Sequence, residues 1–371
     1  MEDLESIRQN FPVTKTKVYL NHAAHSPLSK QVRDAMWKCV NEFSEYGDAA
    51  DLDNGKRSFA RLINAAEDEI ALVENTSVGL NIIANMLDYP SGSNVVTTDL
   101  EYPSAIYPWM NRKLGVTVRY VASRAGEVLY EDLEKAVDDK TVAVVISHVE
   151  YANGFRFNLK PVSEIAHRHG AHLVVDAIQS LGVLPFDAKR DDVDFLSAAC
   201  YKWMMGPTGV GYMYVRRDLM ENFSPPFIGW ASVRPEVFQT IEPWEIHKID
   251  LSRTASRFEI GTTSSVSACG AAAALKLLLN TGIENVEKHV LGLTDHLIGR
   301  LNEKGLRIQT PLDPQCRSGI VNFLIENPQE RTNELAKKGI IVSARSHGIR
   351  VSPHFYNTEE EIDRLVEEAT K

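Results

Sequence analysis

The sequence predicts an α/β protein: a mostly parallel central sheet flanked by helices, followed by a smaller α+β domain. Three observations carry this. The middle of the chain alternates short apolar runs with helical patterns. Two of those runs end on residues that carry charge, Asp176 and, just beyond the run, Lys202. After the long helical stretch near residue 280 the pattern changes to short strands and helices.

Taken in order, residues 31–43 place Val32, Met36, Cys39, Val40 and Phe43 on one helical stripe. Residues 94–98, 116–121, 141–149, 171–176, 193–199 and 209–216 read as buried strands. Helical patterns at 104–114, 130–137 and 161–169 lie between several of them. Such alternation implies right-handed crossovers, with active groups gathered at the carboxyl ends of the strands. Residues 265–280 and 283–304 read as two long helices joined at Thr281-Gly282. In the tail, 319–325 and 340–343 look like strands with a helix near 332–338, and Thr358-Glu359-Glu360-Glu361 is a capping box opening a last helix. This divides the chain into a large domain, 17–282, and a small one made of 1–16 with 283–371.

Composition narrows the function. With 371 residues, 44% of them hydrophobic, the chain buries a large core. The net charge of −10 and the lack of a basic run argue against nucleic acid and anionic membrane as partners. Four scattered cysteines, Cys39, Cys200, Cys269 and Cys316, form no CxxC pair, which favours a reducing cytoplasm over a disulfide scaffold or zinc site. The start, MEDLESIRQNF, is acidic and unlike a signal peptide, and no apolar run is long enough to span a membrane.

The chemistry centres on Lys202, in Ala199-Cys200-Tyr201-Lys202-Trp203-Met204-Met205-Gly206-Pro207-Thr208-Gly209. A lysine between an apolar run and a Gly/Pro loop buries its ammonium, and desolvation lowers its pKa until the amine can form an imine. Upstream, the apolar run 172–176 ends in Asp176. The interval between them leaves room for one crossover and one strand, so both side chains reach one rim of the sheet. A lysine for a Schiff base and an aspartate for a pyridinium nitrogen are the two groups pyridoxal 5′-phosphate needs most. Glu74-Asn75-Thr76-Ser77-Val78-Gly79 precedes a helical pattern and supplies hydroxyls and free N–H groups for a phosphate. Tyr102 offers an aromatic ring after a strand, and 257–263 forms a Gly/Thr turn before a helix. Each also has a plain reading: a helix cap for Ser77, Thr262 or Asp176, a loop aromatic for Tyr102, an ion pair for Lys202. Their joint order distinguishes the cofactor reading from a set of unrelated caps.

On these motifs the sequence resembles the class V aminotransferases among the fold-type I pyridoxal phosphate enzymes, a branch that includes cysteine desulfurases, isopenicillin N epimerase-like proteins and, more distantly, kynureninases. The resemblance runs from Val18-Tyr19-Leu20-Asn21-His22-Ala23-Ala24 to Tyr356-Asn357-Thr358-Glu359-Glu360. It implies Lys202 as the Schiff-base lysine, Asp176 as partner of the ring nitrogen, Gln179 near the ring hydroxyl, and Thr76 and Ser77 in the phosphate loop. Tyr201 looks like a kynureninase-type phosphate ligand, Tyr102 stands at the stacking position, and Tyr151 at a ring-hydroxyl contact. Thr262 resembles a threonine that reaches a neighbouring subunit's phosphate, which implies a homodimer. Arg350 matches the arginine that clamps the substrate carboxylate, and His22 lies in a loop near the active-site mouth, open to a substrate contact.

The sequence also departs from the desulfurases. Ala199 replaces a phosphate-binding serine, and Tyr201 and Tyr102 stand where they use histidine. The stretch 343–350, Ser-Ala-Arg-Ser-His-Gly-Ile-Arg, lacks their loop cysteine. The expected activity is therefore chemistry at the α-carbon of a small amino acid, with transamination preferred. Carbon–sulfur lyase or epimerase chemistry is the alternative, and a silent cofactor-binding relative the reading from another class. His167, His169 and His172 do not share a face, so no metal site is expected.

Overall fold

The structure, a computed structural model, describes residues 4–48, 54–234 and 249–371. The first three residues of the acidic start and parts of the proposed large domain lie outside them. A seven-stranded sheet occupies the centre, in the order Ile70–Val73, Gly211–Val215, Phe195–Ala199, His172–Asp176, Thr141–Ser147, Asn94–Thr98, Thr117–Val121. Only Gly211–Val215 runs against its neighbours. The four strands from Phe195 back to Asn94 are parallel pairs buried on both faces, as their β-branched runs require. Helices Thr76–Met86 and Leu159–Arg168 cover opposite faces, packed into two separate apolar layers.

The long helices are Ser265–Thr281 and Ile283–Glu303, bent by 80° at the intervening Gly282. Among the described residues no single helix is long and apolar enough to cross a membrane. The tail forms a three-stranded antiparallel sheet of Ser343–Arg345, Gly348–Val351 and Val321–Leu324. A separate parallel pair, Val18–Tyr19 with Ile340–Ile341, ties the start of the chain to the tail. The capping box at Thr358 and Glu361 opens helix Glu359–Ala369 as expected.

Two sequence readings need correction. The helix expected over 104–114 is only Pro103–Ile106 plus a 3-10 turn at Arg112–Leu114, because Pro108 brings no N–H to a continuous ladder. The strand expected over 340–343 is two short strands that pair with different partners. Strands Ile70–Val73 and Gly348–Val351 were not anticipated.

Candidate active site

Five strands deliver polar groups to one edge of the sheet, their carboxyl ends. Thr76 follows Val73, Tyr102 follows Thr98, Tyr151 follows Ser147, Asp176 ends its strand, and Lys202 follows Ala199. Between them lies a cleft of about 480 Å³, lined among others by Thr76, Ser77, Tyr102, Asp176, Tyr201 and Lys202.

The loop that carries Lys202 is fixed from several sides. Ser26 N donates to Tyr201 O (2.8 Å), Met205 N to Lys202 O (2.9 Å) and Gly206 N to Cys200 O (2.9 Å). His354 Nε2 meets Trp203 O at 2.9 Å, and Trp203 Nε1 donates to Gln179 Oε1 at 2.9 Å. Met205 adopts φ +55°, a left-handed conformation costly for a side chain, held by this surrounding network. Lys202 is thereby kept buried, with 8% of the residue exposed. Burial pushes it down to about 8, the Asp176 charge opposes that, and Arg350 and Arg345 lower it further. At mildly alkaline pH a large share of this amine is neutral and nucleophilic. Its Nζ lies 5.7 Å from the Tyr102 ring centre and 6.0 Å from that of Tyr201.

Asp176 is buried at the floor. Burial pushes its carboxyl up to about 6, while Ile178 N, donating at 3.0 Å, and the Lys202 charge hold it down. Behind it lie two more acids. Glu101 accepts from Ser147 N and Oγ, both at 2.6 Å, and Glu150 accepts from Thr98 Oγ1 at 3.3 Å. Burial raises both, Glu101 to about 8; the Asp176 charge adds to each, the Glu101 charge raises Glu150 further, and hydrogen bonds from Ser147 and with Glu150 hold Glu101 back. Burial thus disfavours charge on both glutamates, and Asp176 is the acid that faces the cleft.

At the opposite end, helix Thr76–Met86 presents its N-terminus. Asn75 caps Val78 N, Thr76 Oγ1 accepts from Ala199 N (2.9 Å), and Ser77 Oγ donates to Ser104 Oγ (2.8 Å). The helix start sits hard against strand Phe195–Ala199: a Cβ on Gly79 would lie 2.2 Å from Ser197 Oγ. Glycine there lets the helix N-terminus approach the lysine strand.

Arg350 is 1% exposed. Its Nη1 donates to Tyr151 O at 2.7 Å, whereas Nε and Nη2 have no partner among the described residues. Burial pushes the guanidinium down to about 9, with the neighbouring Arg345 charge second. Two orphaned donors on a buried planar fork are the requirement of a carboxylate ligand. Tyr151 bridges toward the cleft, its ring 5.0 Å from that of Tyr102.

The structure does not bring every predicted residue to the cleft. His22 is corrected: it is fully buried, with Nδ1 against Ser352 O and Nε2 against Tyr356 OH, both at 2.8 Å, so neither nitrogen is offered to a ligand. Gln179 lies under the Lys202 loop, its Nε2 donating to Ala23 O at 3.0 Å. Thr262 is exposed and outside the cleft lining. His167 and His169 pair with Asp194 and Asp139. The Glu101–Glu150 pair and Arg345 escaped the sequence reading. Glu101 and Glu150 carry no local pattern linking them, and Arg345 was seen only as part of a stretch lacking cysteine.

Comparison with known proteins decides the family. The profile described as Aminotransferase class-V matches residues 18–365. The chain belongs to the class V aminotransferase family. An uncharacterized aminotransferase of Bacillus subtilis is 32% identical over 99% of this chain and 98% of its own length. A probable cysteine desulfurase of Pyrococcus abyssi is 29% identical over 98% of this chain and 96% of its own. Among solved structures, the apo cysteine desulfurase of Thermococcus onnurineus superposes with a TM-score of 0.89 at 27% identity, covering 99% of this chain and 97% of that one. This class V protein is therefore a fold-type I enzyme whose cofactor is pyridoxal 5′-phosphate. Its cleft fits that group: a helix N-terminus for a phosphate, a half-exposed tyrosine ring, a buried acid and a depressed lysine face one volume.

Proposed function

We propose that this enzyme transfers the amino group of a small α-amino acid. The observation that carries the reading is the hairpin bearing Arg350. It turns in two residues, Ser346 and His347, and has no thiol. The four cysteines all lie outside the cleft lining, and burial raises the thiols of Cys200 and Cys316, the reverse of what a nucleophilic sulfur needs. Carbon–sulfur lyase action is the second reading, favoured by the desulfurase names of several relatives.

Bound pyridoxal phosphate supplies an electron sink for charge developing at the substrate α-carbon. Lys202 Nζ would hold the cofactor and would serve as the base that takes the α-proton and returns it. Asp176, at the floor of the cleft, would face the ring nitrogen and favour its protonated form. Thr76, Ser77 and Tyr201 would bind the phosphate, Tyr102 would cover the ring face and Tyr151 would serve the ring hydroxyl, while Gln179 braces the Lys202 loop from beneath. Arg350 orients the α-carboxylate. Thr262 completes the phosphate site of a second copy, so the working unit is a homodimer, placed in the cytoplasm. The large unit, 17–282, carries the cofactor, and 1–16 with 283–371 carries Arg350.

The test is product analysis in a single turnover without an acceptor. Transamination releases one equivalent of keto acid per site, then stops until a keto acid is added, with no free ammonia. Continuous release of ammonia or sulfide overturns this reading in favour of the lyase.

A further inference from the structure

One cation near the cleft has no assigned task. Arg345 ends strand Ser343–Arg345, immediately before the turn that leads to Arg350. The register pairs Ser343 with Arg350 and Arg345 with Gly348. Side chains two apart on a strand share a face, so Arg345 and Arg350 project from the same face of the hairpin. They are diagonal neighbours, separated by roughly 7–8 Å at the backbone and within reach of long side chains. The turn is tight and of fixed hand: Ser346 and His347 both take left-handed conformations, φ +46° and +66°. It therefore holds Arg345 in a set relation to Arg350. Opposite Arg345, Gly348 brings no side chain to cover it.

Arg345 is exposed. Its recorded bond is from Nη1 to the carbonyl of Ala344 at 2.7 Å, and no carboxylate pairs with it among the described residues. Its backbone is anchored by Asn322 Nδ2, which donates to Arg345 O at 3.1 Å and to Ala152 O at 2.8 Å. Asn322 itself pairs with Arg350 across the sheet. Arg345 thus stands in the same small framework as the carboxylate clamp, and its charge is felt at both Lys202 and Arg350. In a protein of net charge −10, three cations gather here. The cofactor phosphate belongs at the helix N-terminus on the far side, and one substrate carboxylate satisfies Arg350. Arg345 remains for a second anion.

We propose that Arg345 receives a second carboxylate, so that the preferred substrate is an α-amino acid with an acidic side chain. This deepens the reading of the cleft as a pyridoxal phosphate site acting on α-amino acids and rests on it. A neutral amino acid leaves the Arg345 guanidinium facing solvent, whereas a dicarboxylate spans the two arginines of one hairpin face.

The experiment uses ligands that cannot react as well as ligands that can. Binding of maleate and of propionate to the holoenzyme is measured by titration calorimetry, and cofactor absorbance is followed on titration with L-aspartate, L-glutamate and L-alanine. Wild type is expected to bind maleate at least ~10-fold more tightly than propionate, the scale of one charge-assisted hydrogen-bonded pair. Arg345→Gln should remove that margin and raise half-saturation for the acidic amino acids by a similar factor, with a much smaller change for propionate and L-alanine. Arg345→Lys should restore part of it. The proposal is overturned if wild type shows no dicarboxylate margin, or if Arg345→Gln weakens both ligand classes equally. A yellow enzyme that responds to L-alanine without that margin removes this inference alone. A protein that takes up no pyridoxal phosphate removes the underlying reading with it.

Discussion

At the residue scale, the site is built from groups held away from their ordinary ionisation. Asp176 and Lys202 are both buried, and burial is the leading cause of each shift. The consequence for Asp176 can be measured. Burial pushes its folded carboxyl up to about 6 from the ordinary 3.8, so ionising it opposes folding. The penalty is absent below about pH 4, grows as pH rises to 6, and reaches about 3 kcal/mol above that. In cofactor-free protein, Asp176→Asn should therefore raise stability at pH 8 by up to about 3 kcal/mol, with the gain vanishing near pH 4. Urea unfolding at the two pH values checks it. A wild type more stable than the variant at pH 8 contradicts the burial argument.

At the element scale, the end of the cleft proposed for the phosphate depends on how closely one helix meets one strand. Helix Thr76–Met86 starts against Phe195–Ala199, where Ser197 Oγ donates to Thr76 O at 3.2 Å. Gly79→Ala would place a Cβ 2.2 Å from Ser197 Oγ and 2.9 Å from its Cβ. The helix must shift, with an expected loss of about 1–3 kcal/mol and weaker retention of the cofactor. Adding Ser197→Gly should recover much of both, since it removes the atoms in the way. Thermal unfolding and cofactor dialysis of the single and double variants test this. A single variant that keeps the cofactor as wild type does would show that the close approach does not matter. The sequence marked this helix start through its Asn-Thr-Ser run, but not the need for glycine at 79, which arises from a strand far along the chain.

At the scale of the whole molecule, the central strands were legible because apolar runs buried on both faces leave little else to read. Asn94–Thr98 and His172–Asp176 match expectation within a residue. The missed elements are short. Ile70–Val73 has four residues, and Gly348–Val351 is interrupted in character by Arg350, whose burial only the packed hairpin explains. The cleft was legible where a residue ends or follows a readable strand, as with Tyr102, Asp176 and Lys202, and where a hydroxyl run opens a helix, as with Thr76. It was not legible where a role depends on folding from afar. His22 was expected at a ligand, but Ser352 and Tyr356, brought back from the end of the chain, enclose it. Glu101 and Glu150 meet only because neighbouring strands end side by side.

The central claim is that Lys202 carries the cofactor. Borohydride reduction of the purified holoenzyme, followed by peptide mapping, tests it most directly. The account predicts one pyridoxyl group per chain, on the peptide containing Lys202, and none after Lys202→Ala. A label on another lysine, or the same labelling in Lys202→Ala, would contradict it.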